Sequence, residues 1–360
     1  MKTISVCMIV KDEEHCIERI LRQAKKFADE IIIVDTYSED KTPEIALKYT
    51  NRVYKTEFQD FSQARNYSLS LAESDYVMWL DADDVLPDES VEKLIALKNS
   101  LGAQDMIMLP YETAFDEDGN PTFRYFRERI FRNRAGYVFE GAVHEAVAPR
   151  GEIEYLDIPI RHQKEAVRNP FRNLGIYQKL IADGAELCPR EKFYYACELY
   201  YNRMYDEALA VFNVFLKGGG MTANVVQALL NSSDIYIMKG MFEEGFAAAA
   251  KALYYVMPTP AVCCQLGYCL QKAGKYGLST YYYGMALTVK ETDPLAFRNT
   301  DFDAYVPYIE MGLNSYYDGD VDKAIEYTLK AKEIRPNSAL AESNLAYYFE
   351  EKAKTEKIEG

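Results

Sequence analysis

Two aspartates follow an apolar segment in a spacing that suits metal binding. Asp81 and Asp83 come shortly after the run Tyr76 to Met78. Successive side chains of an extended strand point to opposite faces, so these two carboxylates point to the same side. Paired carboxylates at the end of a buried strand are ligands for Mg²⁺ or Mn²⁺, which share their coordination shell with substrate phosphates. The pattern indicates a metal-bound nucleotide; the alternative is a solvated turn or a helix cap.

The segments around these aspartates predict a parallel sheet that alternates with helices. Residues Thr3 to Val10 form an almost continuous apolar run, which is typical of a strand buried on both faces. A helical pattern follows, then a second strand, Glu30 to Val34, and two further helix and strand cycles. Because parallel strands present their carboxyl ends to one edge, Glu13, Asp35 and Asp81 are expected to line one crevice. Each acid taken alone is also explained by a helix cap or a turn.

Four motifs in the first half occur in the order found in a known enzyme family. They are ISVCMIVKDE (4–13), IVDTYSEDKT (33–42), FSQARN (61–66) and WLDAD (79–83). Together they resemble family 2 glycosyltransferases with the GT-A fold. With its helical second half, the chain is similar to the bacterial subgroup that carries tetratricopeptide repeats, which includes the peptide glycosyltransferases that modify glycocin bacteriocins. The resemblance implies sugar transfer from a nucleotide donor with inversion at the anomeric carbon.

The resemblance also implies roles for individual residues. Asp35 would bind the uracil edge and Glu13 the nucleoside, while Arg65 would lie by the base or the diphosphate. Asp83 would ligate the metal, and Asp81 would contact the ribose, or the metal through water. The nucleotide-binding positions expected from the motifs are Val10, Glu13, Asp35, Tyr37, Arg65, Asp81 and Arg132. Tyr37 departs from the family, which often has Gly there, and its bulk is expected to reshape the nucleotide loop.

Five arginines fall within a short segment of an otherwise acidic half: Arg124, Arg127, Arg129, Arg132 and Arg134. Guanidinium groups pair well with phosphate oxygens, so arginines that face a metal would neutralise a departing diphosphate. The apolar residues between them leave room for one or two at the site. Arg132 is the expected one, because RIFR (129–132) is similar to the family's R-x-F-R pattern. The alternative is a strand whose outward positions are basic.

The dipeptide His144-Glu145 offers candidates for the catalytic base. An inverting transfer needs one base to take the acceptor proton. In extended backbone the two side chains point to opposite faces, so one would reach the acceptor and the other would brace the loop. The dipeptide resembles the HE element of this glycosyltransferase subgroup, although a structural pair is the alternative. In many GT-A enzymes a histidine after the final strand completes the metal shell, so the resemblance implies that His162, at the end of the last predicted strand, is a third metal ligand. The alternative is a histidine hydrogen-bonded to backbone.

Helical patterns with small residues replace the strand patterns after Lys164. Four similar turns recur, and their small residues Ala208, Gly245, Ser279 and Ala324 are 37, 34 and 45 residues apart, near the tetratricopeptide period of about 34. We predict four helix pairs and a final amphipathic helix over Ser338 to Glu350. The predicted fold is an α/β GT-A nucleotide-sugar-binding domain (1–165) followed by an all-α tetratricopeptide-repeat solenoid (166–360).

Composition argues against several other functions. A net charge of −15 is opposite to the basic face of a nucleic-acid binder. The seven cysteines form no CxxC pair, which is typical of reduced thiols in the cytoplasm. The amino terminus leads directly into a strand, and no apolar run approaches membrane-spanning length. We therefore expect a cytoplasmic protein with no export signal and no membrane span.

The sequence thus predicts a metal-dependent inverting glycosyltransferase. The expected cofactor is Mn²⁺ or Mg²⁺ and the expected donor a UDP-hexose. The expected acceptor is a peptide or protein side chain, held in part by the tyrosine-rich repeats. Two alternatives stay open, namely transfer to a saccharide or lipid-linked core, and a repeat scaffold without catalysis. The sequence leaves undecided the sugar, the accepting atom and whether the protein forms a homo-oligomer.

Overall fold

The computed structural model describes residues 1–163 and 170–359. The predicted boundary between residues 165 and 166 therefore lies outside the described residues. Two compact units are present. The first contains Met1–Thr113 and Tyr125–Glu186, and the second contains Ala114–Arg124 and the residues from Leu187 onward.

The first unit alternates strands with short helices over its first hundred residues and continues with strands, two of which include residues from the segment 114–124 of the second unit. The strands are β1 (Ile4–Val10), β2 (Glu30–Asp35), β3 (Val53–Lys55), β4 (Tyr76–Trp79), β5 (Asp84–Val85), β6 (Met106–Phe115), β7 (Pro121–Arg132), β8 (Phe139–Glu140), β9 (Ala146–Val147), β10 (Ile153–Tyr155) and β11 (Ile160–His162). The helices are α1 (Ile17–Ala24), α2 (Thr42–Ala46), α3 (Phe61–Ser70), α4 (Asp88–Leu97) and α5 (Arg172–Ala182).

These strands form a mixed sheet with the order β3-β2-β1-β4-β7-β6-β11-β5. β1 pairs in parallel with β2 and β4, and β2 pairs in parallel with β3, whereas β7 is antiparallel to β4. Strands β8 and β9 form a separate two-stranded sheet. The predicted α/β class is confirmed, and the loops after β1, β2 and β4 leave the same edge of the sheet.

The core fixes this edge because β1 is covered on both faces. Ile4, Val6 and Met8 are fully buried in a cluster that includes Ile17 and other residues of α1. On the other face the Cys7 thiol reaches the carbonyl of Ser68 in α3 at 3.6 Å. Burial on both faces explains why the strand sequence is a continuous apolar run. The polar residues that follow the strand are thereby held at a fixed position on the edge of the sheet.

The second unit contains four helix pairs and a final helix, as the sequence predicts. The helices are α6 (Pro189–Tyr201), α7 (Tyr205–Gly218), α8 (Thr222–Met238), α9 (Phe242–Ala250), α10 (Pro260–Lys272), α11 (Tyr276–Ala286), α12 (Tyr305–Tyr317), α13 (Val321–Ile334) and α14 (Ala339–Glu359). The final helix extends beyond its predicted end at Glu350. A short strand, β12 (Arg298–Asn299), pairs antiparallel with Phe123 and Arg124 of β7.

Small residues lie where paired helices touch, which is what the repeated turns predict. Ala208, Ser279 and Ala324 are fully buried. A methyl group on Gly267 would come within 3.1 Å of the Tyr283 ring. These positions stay small because the facing helix occupies the space that a larger side chain would need.

The substitution Gly312→Ala is expected to destabilise the second unit by about 1–3 kcal/mol. Its methyl group would lie 2.6 Å from Thr328 Oγ1 and 3.1 Å from the carbonyl oxygen of Ala324, so α12 and α13 would have to separate. Gly284→Ala in α11 is the matched control, because nothing lies within 4 Å of its methyl group and alanine favours a helix by roughly 0.5–1 kcal/mol. Thermal unfolding measures both; a stabilised Gly312→Ala variant would contradict the packing.

The cysteines form no disulfide: all seven are free thiols, and all but Cys188 are buried. Across the two described ranges, no helix has the length and apolar character required to span a bilayer.

Candidate active site

The turn after β4 is built around Asp84, to which the sequence argument assigned no role. Its carboxylate accepts hydrogen bonds from the backbone N–H of Asp81 (2.9 Å), the hydroxyl of Tyr111 (3.0 Å) and the guanidinium of Arg129 (2.9 Å). Asp84 is fully buried, whereas the side chains of Asp81 and Asp83 are 27% and 25% exposed. The turn therefore offers two carboxylates outward and uses the third to hold its own shape.

Asp83, Asp84 and His162 bring three candidate metal ligands together. The pairing of β11 with β5 places His162 opposite Asp84. One ligand atom from each of the three residues lies within 4.8 Å of the others. His162 Nδ1 is 3.4 Å from Asp83 Oδ1 and 3.9 Å from Asp84 Oδ1. The strand pairing thus assembles a cluster from residues far apart in the sequence.

The environment of His162 fits a cation at this place. Its Nδ1 is buried and makes no hydrogen bond within the described residues. Burial by itself lowers the pKa of His162, but the carboxylates of Asp83 and Asp84 raise it to about 10. The two acids therefore favour a positive charge between them. Carboxylates with one imidazole are a mixed ligand set that Mn²⁺ accepts, and a metal there would replace the proton of the imidazolium.

Arg65 is buried in α3 and holds two acids at once. Its Nε donates to Glu145 Oε1 and its Nη2 to Asp81 Oδ1, each at 2.6 Å. Burial by itself raises the pKa of Asp81, but the positive charges of Arg65 and Arg129 outweigh burial and lower the pKa to about 2. Three predicted site residues, Arg65, Asp81 and Glu145, thus form one ion-paired group.

Three arginines pack on the ring of Trp79, the chain's single tryptophan. The guanidinium carbons of Arg129, Arg65 and Arg127 lie 3.8, 4.4 and 4.9 Å from the ring centroid, within the range of cation–π attraction. Arg129 is fully buried and also lies 4.3 Å from the Tyr111 ring centroid. Its Nε and Nη2 have no hydrogen-bond partner in the part of the chain that the structure describes. Arginine is thus present at the site, supplied by Arg127 and Arg129 of the predicted cluster.

Arg132, the arginine expected at the site, lies elsewhere. It pairs with Tyr76, the first residue of β4, and is therefore at the end of that strand away from the acidic turn. Its guanidinium binds Asp105 at 3.0 Å and the backbone carbonyls of residues 102–104. The expectation for Arg132 was therefore wrong. Side chains alternate along β7, so Arg127 and Arg129 point to one face of the sheet and Arg132 points to the other.

Two loops at the ends of β1 and β2 are joined by hydrogen bonds. The backbone N–H of Asp12 donates to Ser38 Oγ at 2.9 Å, and that of Glu39 donates to Asp12 Oδ1 at 2.7 Å. The N–H of Glu13 donates to Thr42 Oγ1 at 2.7 Å. These bonds tie the two loops together and hold the backbone of Glu13, one of the predicted nucleotide residues.

Asp35 and Tyr37 differ in exposure although they belong to one loop. Asp35 is fully buried, with Oδ1 accepting from the N–H of Ser38 at 3.0 Å and Oδ2 having no partner among the described residues. Tyr37 is 52% exposed and has a left-handed backbone, φ 63°. The Val10 side chain is buried, and its carbonyl accepts from the N–H of Thr36 at 2.9 Å, so Val10 shapes this loop.

His144 and Glu145 have different surroundings. The backbone at His144 is left-handed, φ 54°, so the dipeptide is not the extended segment that the sequence argument assumed. Glu145 is buried on Arg65, and its carbonyl accepts a hydrogen bond from Arg127 at 3.0 Å. His144 is partly exposed and lies near-parallel to the Tyr177 ring, with centroids 6.5 Å apart. Of the two residues, Glu145 is thus the buried, ion-paired one and His144 the partly exposed one.

The ion pair of Asp81 is expected to appear in acid stability. A folded-state pKa lowered to about 2 stabilises the protein above pH 4 and stops doing so as the pH falls from about 4 to 2. Asp81→Asn should therefore lower the free energy of unfolding at pH 7 by up to about 2 kcal/mol, and with it the melting temperature, and the difference from the parent should shrink toward pH 2. Asp88→Asn, an exposed carboxylate in the first turn of α4, is the control. A constant difference at every pH would contradict the lowered pKa.

Known proteins are similar to parts of this chain. Residues 5–147 match the family model described as Glycosyl transferase family 2. Over 148 residues the chain is 35% identical to a TPR repeat-containing protein of Synechococcus elongatus, covering 41% of this chain and 36% of that protein. Over 153 residues it is 31% identical to the SPbeta prophage-derived glycosyltransferase SunS of Bacillus subtilis, covering 40% and 34%.

Among solved structures, the chain is similar to YrrB, described as a TPR protein with an unusual peptide-binding site. The TM-score is 0.36 at 21% identity, over 49% of this chain and 84% of that one. The N-terminal part of the chain is a family 2 glycosyltransferase domain, and helical repeats follow it, as predicted. The matched segments span about a third of the length of the two curated relatives.

Proposed function

We propose that the chain is a metal-dependent inverting glycosyltransferase that moves a sugar from a UDP-sugar to a side chain of a peptide or protein. The observation that carries the proposal is the cluster of Asp83, Asp84 and His162. Its two aspartates belong to the same turn as Asp81, the ion-pair partner of Arg65. This turn lies at the carboxyl end of a parallel strand, where open α/β sheets bind ligands.

The donor side of the site would use the acids at the strand ends. Asp83 and His162 would hold Mn²⁺ or Mg²⁺, with Asp84 keeping the turn in shape. A bound cation would stabilise the negative charge of the departing diphosphate. Asp35 Oδ2, which lacks a partner among the described residues, would accept the ring N–H of uracil. Glu13, on the adjoining loop, would contact the nucleoside.

The acceptor side would use the loop that contains His144. The imidazole would take the proton from an acceptor hydroxyl or thiol as the new glycosidic bond forms. Glu145 would keep the loop in place through Arg65, since its carboxylate is 2.6 Å from that guanidinium. The two residues would therefore have separate roles.

The repeat unit would bind the polypeptide that carries the acceptor group. On the first helices of three pairs, Tyr200 and Gln265 donate to Asp234 at 3.0 and 2.8 Å, and all three side chains stay partly exposed. Polar side chains in such a row can pair with peptide N–H and C=O groups. Binding energy gathered away from the reacting atom helps to position that atom. A polypeptide acceptor uses such a surface, whereas a small saccharide does not need it.

The test is to incubate the full chain with UDP-sugars, Mn²⁺ and separate panels of peptides and saccharides. We expect metal-dependent release of UDP and a mass gain of one sugar on a peptide, with both lost in EDTA. Efficient transfer to saccharides alone would replace the peptide acceptor with a saccharide core. Absence of both UDP binding and UDP-sugar turnover in Mn²⁺ would favour the non-catalytic scaffold.

A further inference from the structure

The loop after β2 contains an aromatic ring held in an unfavourable backbone conformation. Among the described residues, non-glycine left-handed backbones occur at Asp12, Tyr37, Arg134, His144 and Arg203. Three of these, Asp12, Tyr37 and His144, lie in loops of the candidate site. Aspartate tolerates this conformation because its short side chain bonds locally, but a bulky side chain there is strained. Tyr37 therefore needs a separate explanation.

The hydrogen bonds on either side of Tyr37 impose its conformation. The N–H of Thr36 donates to the Val10 carbonyl at 2.9 Å, and the N–H of Ser38 donates to Asp35 Oδ1 at 3.0 Å. Glycine would adopt this backbone without strain. The tyrosine ring is not buried in return, because 52% of the residue is exposed. Packing within the chain thus gives little to offset the strain, and such strain often marks a functional contact.

We propose that Tyr37 is a stacking platform for the base of the nucleotide donor, and this inference rests on the proposed function. Tyr37 lies two residues after Asp35, whose Oδ2 has no partner among the described residues. Lys55 Nζ lies 5.9 Å from the ring centroid, and Lys55 is opposite Asp35 in the pairing of β2 with β3. A flat heterocycle with a ring N–H, such as uracil, would use both an exposed aromatic ring and an unpartnered acceptor oxygen of the same loop. Stacking on an aromatic side chain is a general way to bind a base.

The experiment measures binding of UDP and of pyrophosphate to the full chain in Mn²⁺ by calorimetry. Tyr37→Gly relieves the strain and removes the ring, whereas Tyr37→Phe keeps the ring. We expect Tyr37→Gly to weaken UDP binding at least about fivefold and Tyr37→Phe to stay within about twofold of the parent. Pyrophosphate, which has no base, should bind all three proteins equally. The melting temperature of Tyr37→Gly should not fall.

Arg203→Gly is the matched control, because Arg203 has nearly the same backbone, φ 61°, and is exposed in the turn between α6 and α7. It should bind UDP like the parent. The inference is overturned if Tyr37→Gly binds UDP normally, or if it weakens pyrophosphate as much as UDP, which would indicate a structural role. If the parent itself binds no nucleoside diphosphate, the proposed function fails, and that outcome is distinct from an unchanged Tyr37→Gly variant.

Discussion

Asp83→Asn is expected to lower metal-dependent turnover of a UDP-sugar by at least about two orders of magnitude. The amide keeps the shape of the side chain but removes the negative charge that lies 3.4 Å from His162 Nδ1. Charge stabilisation by a bound cation contributes several kcal/mol, and about 1.4 kcal/mol changes a rate tenfold. The melting temperature should stay close to that of the parent, because Asp84 remains beside His162 at 3.9 Å.

The measurement is a Mn²⁺ titration of UDP-sugar hydrolysis, with Mn²⁺ binding followed by calorimetry on the same samples. Asp88→Asn makes the same chemical change at an exposed position in the first turn of α4 and should behave like the parent. Loss of turnover together with loss of Mn²⁺ binding would support the assignment. Parental turnover with an unchanged Mn²⁺ response in Asp83→Asn would place the metal elsewhere.

Sequence reasoning worked best where structure depends on local pattern. The apolar run Thr3 to Val10 predicted a strand covered on both faces, and β1 is packed on both sides. The recurring small residues predicted helix pairs, and Ala208, Ser279 and Ala324 are buried where helices meet. These features follow from the side-chain period and the volume available at one position. Each is encoded by neighbours along the chain.

The arginine cluster shows why the site was harder to predict. Which of the five arginines reaches the site depends on which face of β7 meets Trp79. That face is set by the antiparallel pairing of β7 with β4, in which Met78 lies opposite Ile130. The motif likeness favoured Arg132, but one residue of displacement along a strand moves a side chain to the opposite face. Asp84 was missed for a related reason, since its partners Arg129 and Tyr111 come from distant strands.

The loop with His144 shows a further limit. The expectation that His144 and Glu145 point to opposite faces assumed extended backbone, whereas His144 is left-handed. Glycine or asparagine would have indicated such a turn at that position more strongly than histidine does. The buried contact of Glu145 with Arg65 also joins residues that no local pattern connects. The separate roles proposed for the two residues therefore rest on tertiary contacts and lead to a direct test.

His144→Asn is expected to lower transfer to the acceptor by about 10²–10⁴-fold, the usual contribution of a general base, while UDP binding in Mn²⁺ stays near that of the parent. Asparagine tolerates the left-handed backbone but cannot take the proton. Glu145→Gln should act differently. It leaves Arg65, a buried cation, with Asp81 as its remaining carboxylate partner at 2.6 Å, and loss of a buried pair costs several kcal/mol. The melting temperature of Glu145→Gln should therefore fall, whereas that of His144→Asn should hold.

The decisive comparison is single-turnover transfer to the best peptide, measured for both variants beside UDP affinity and melting temperature. If His144→Asn loses transfer but still binds the donor, the imidazole acts in proton removal and not in donor binding. The reason is that the imidazole is needed only in the step that removes the proton from the acceptor group. Lowered stability in Glu145→Gln with partial transfer would agree with a bracing role. Parental transfer by His144→Asn would rule out His144 as the base, and loss of transfer by a stable Glu145→Gln variant would assign the proton to that carboxylate instead.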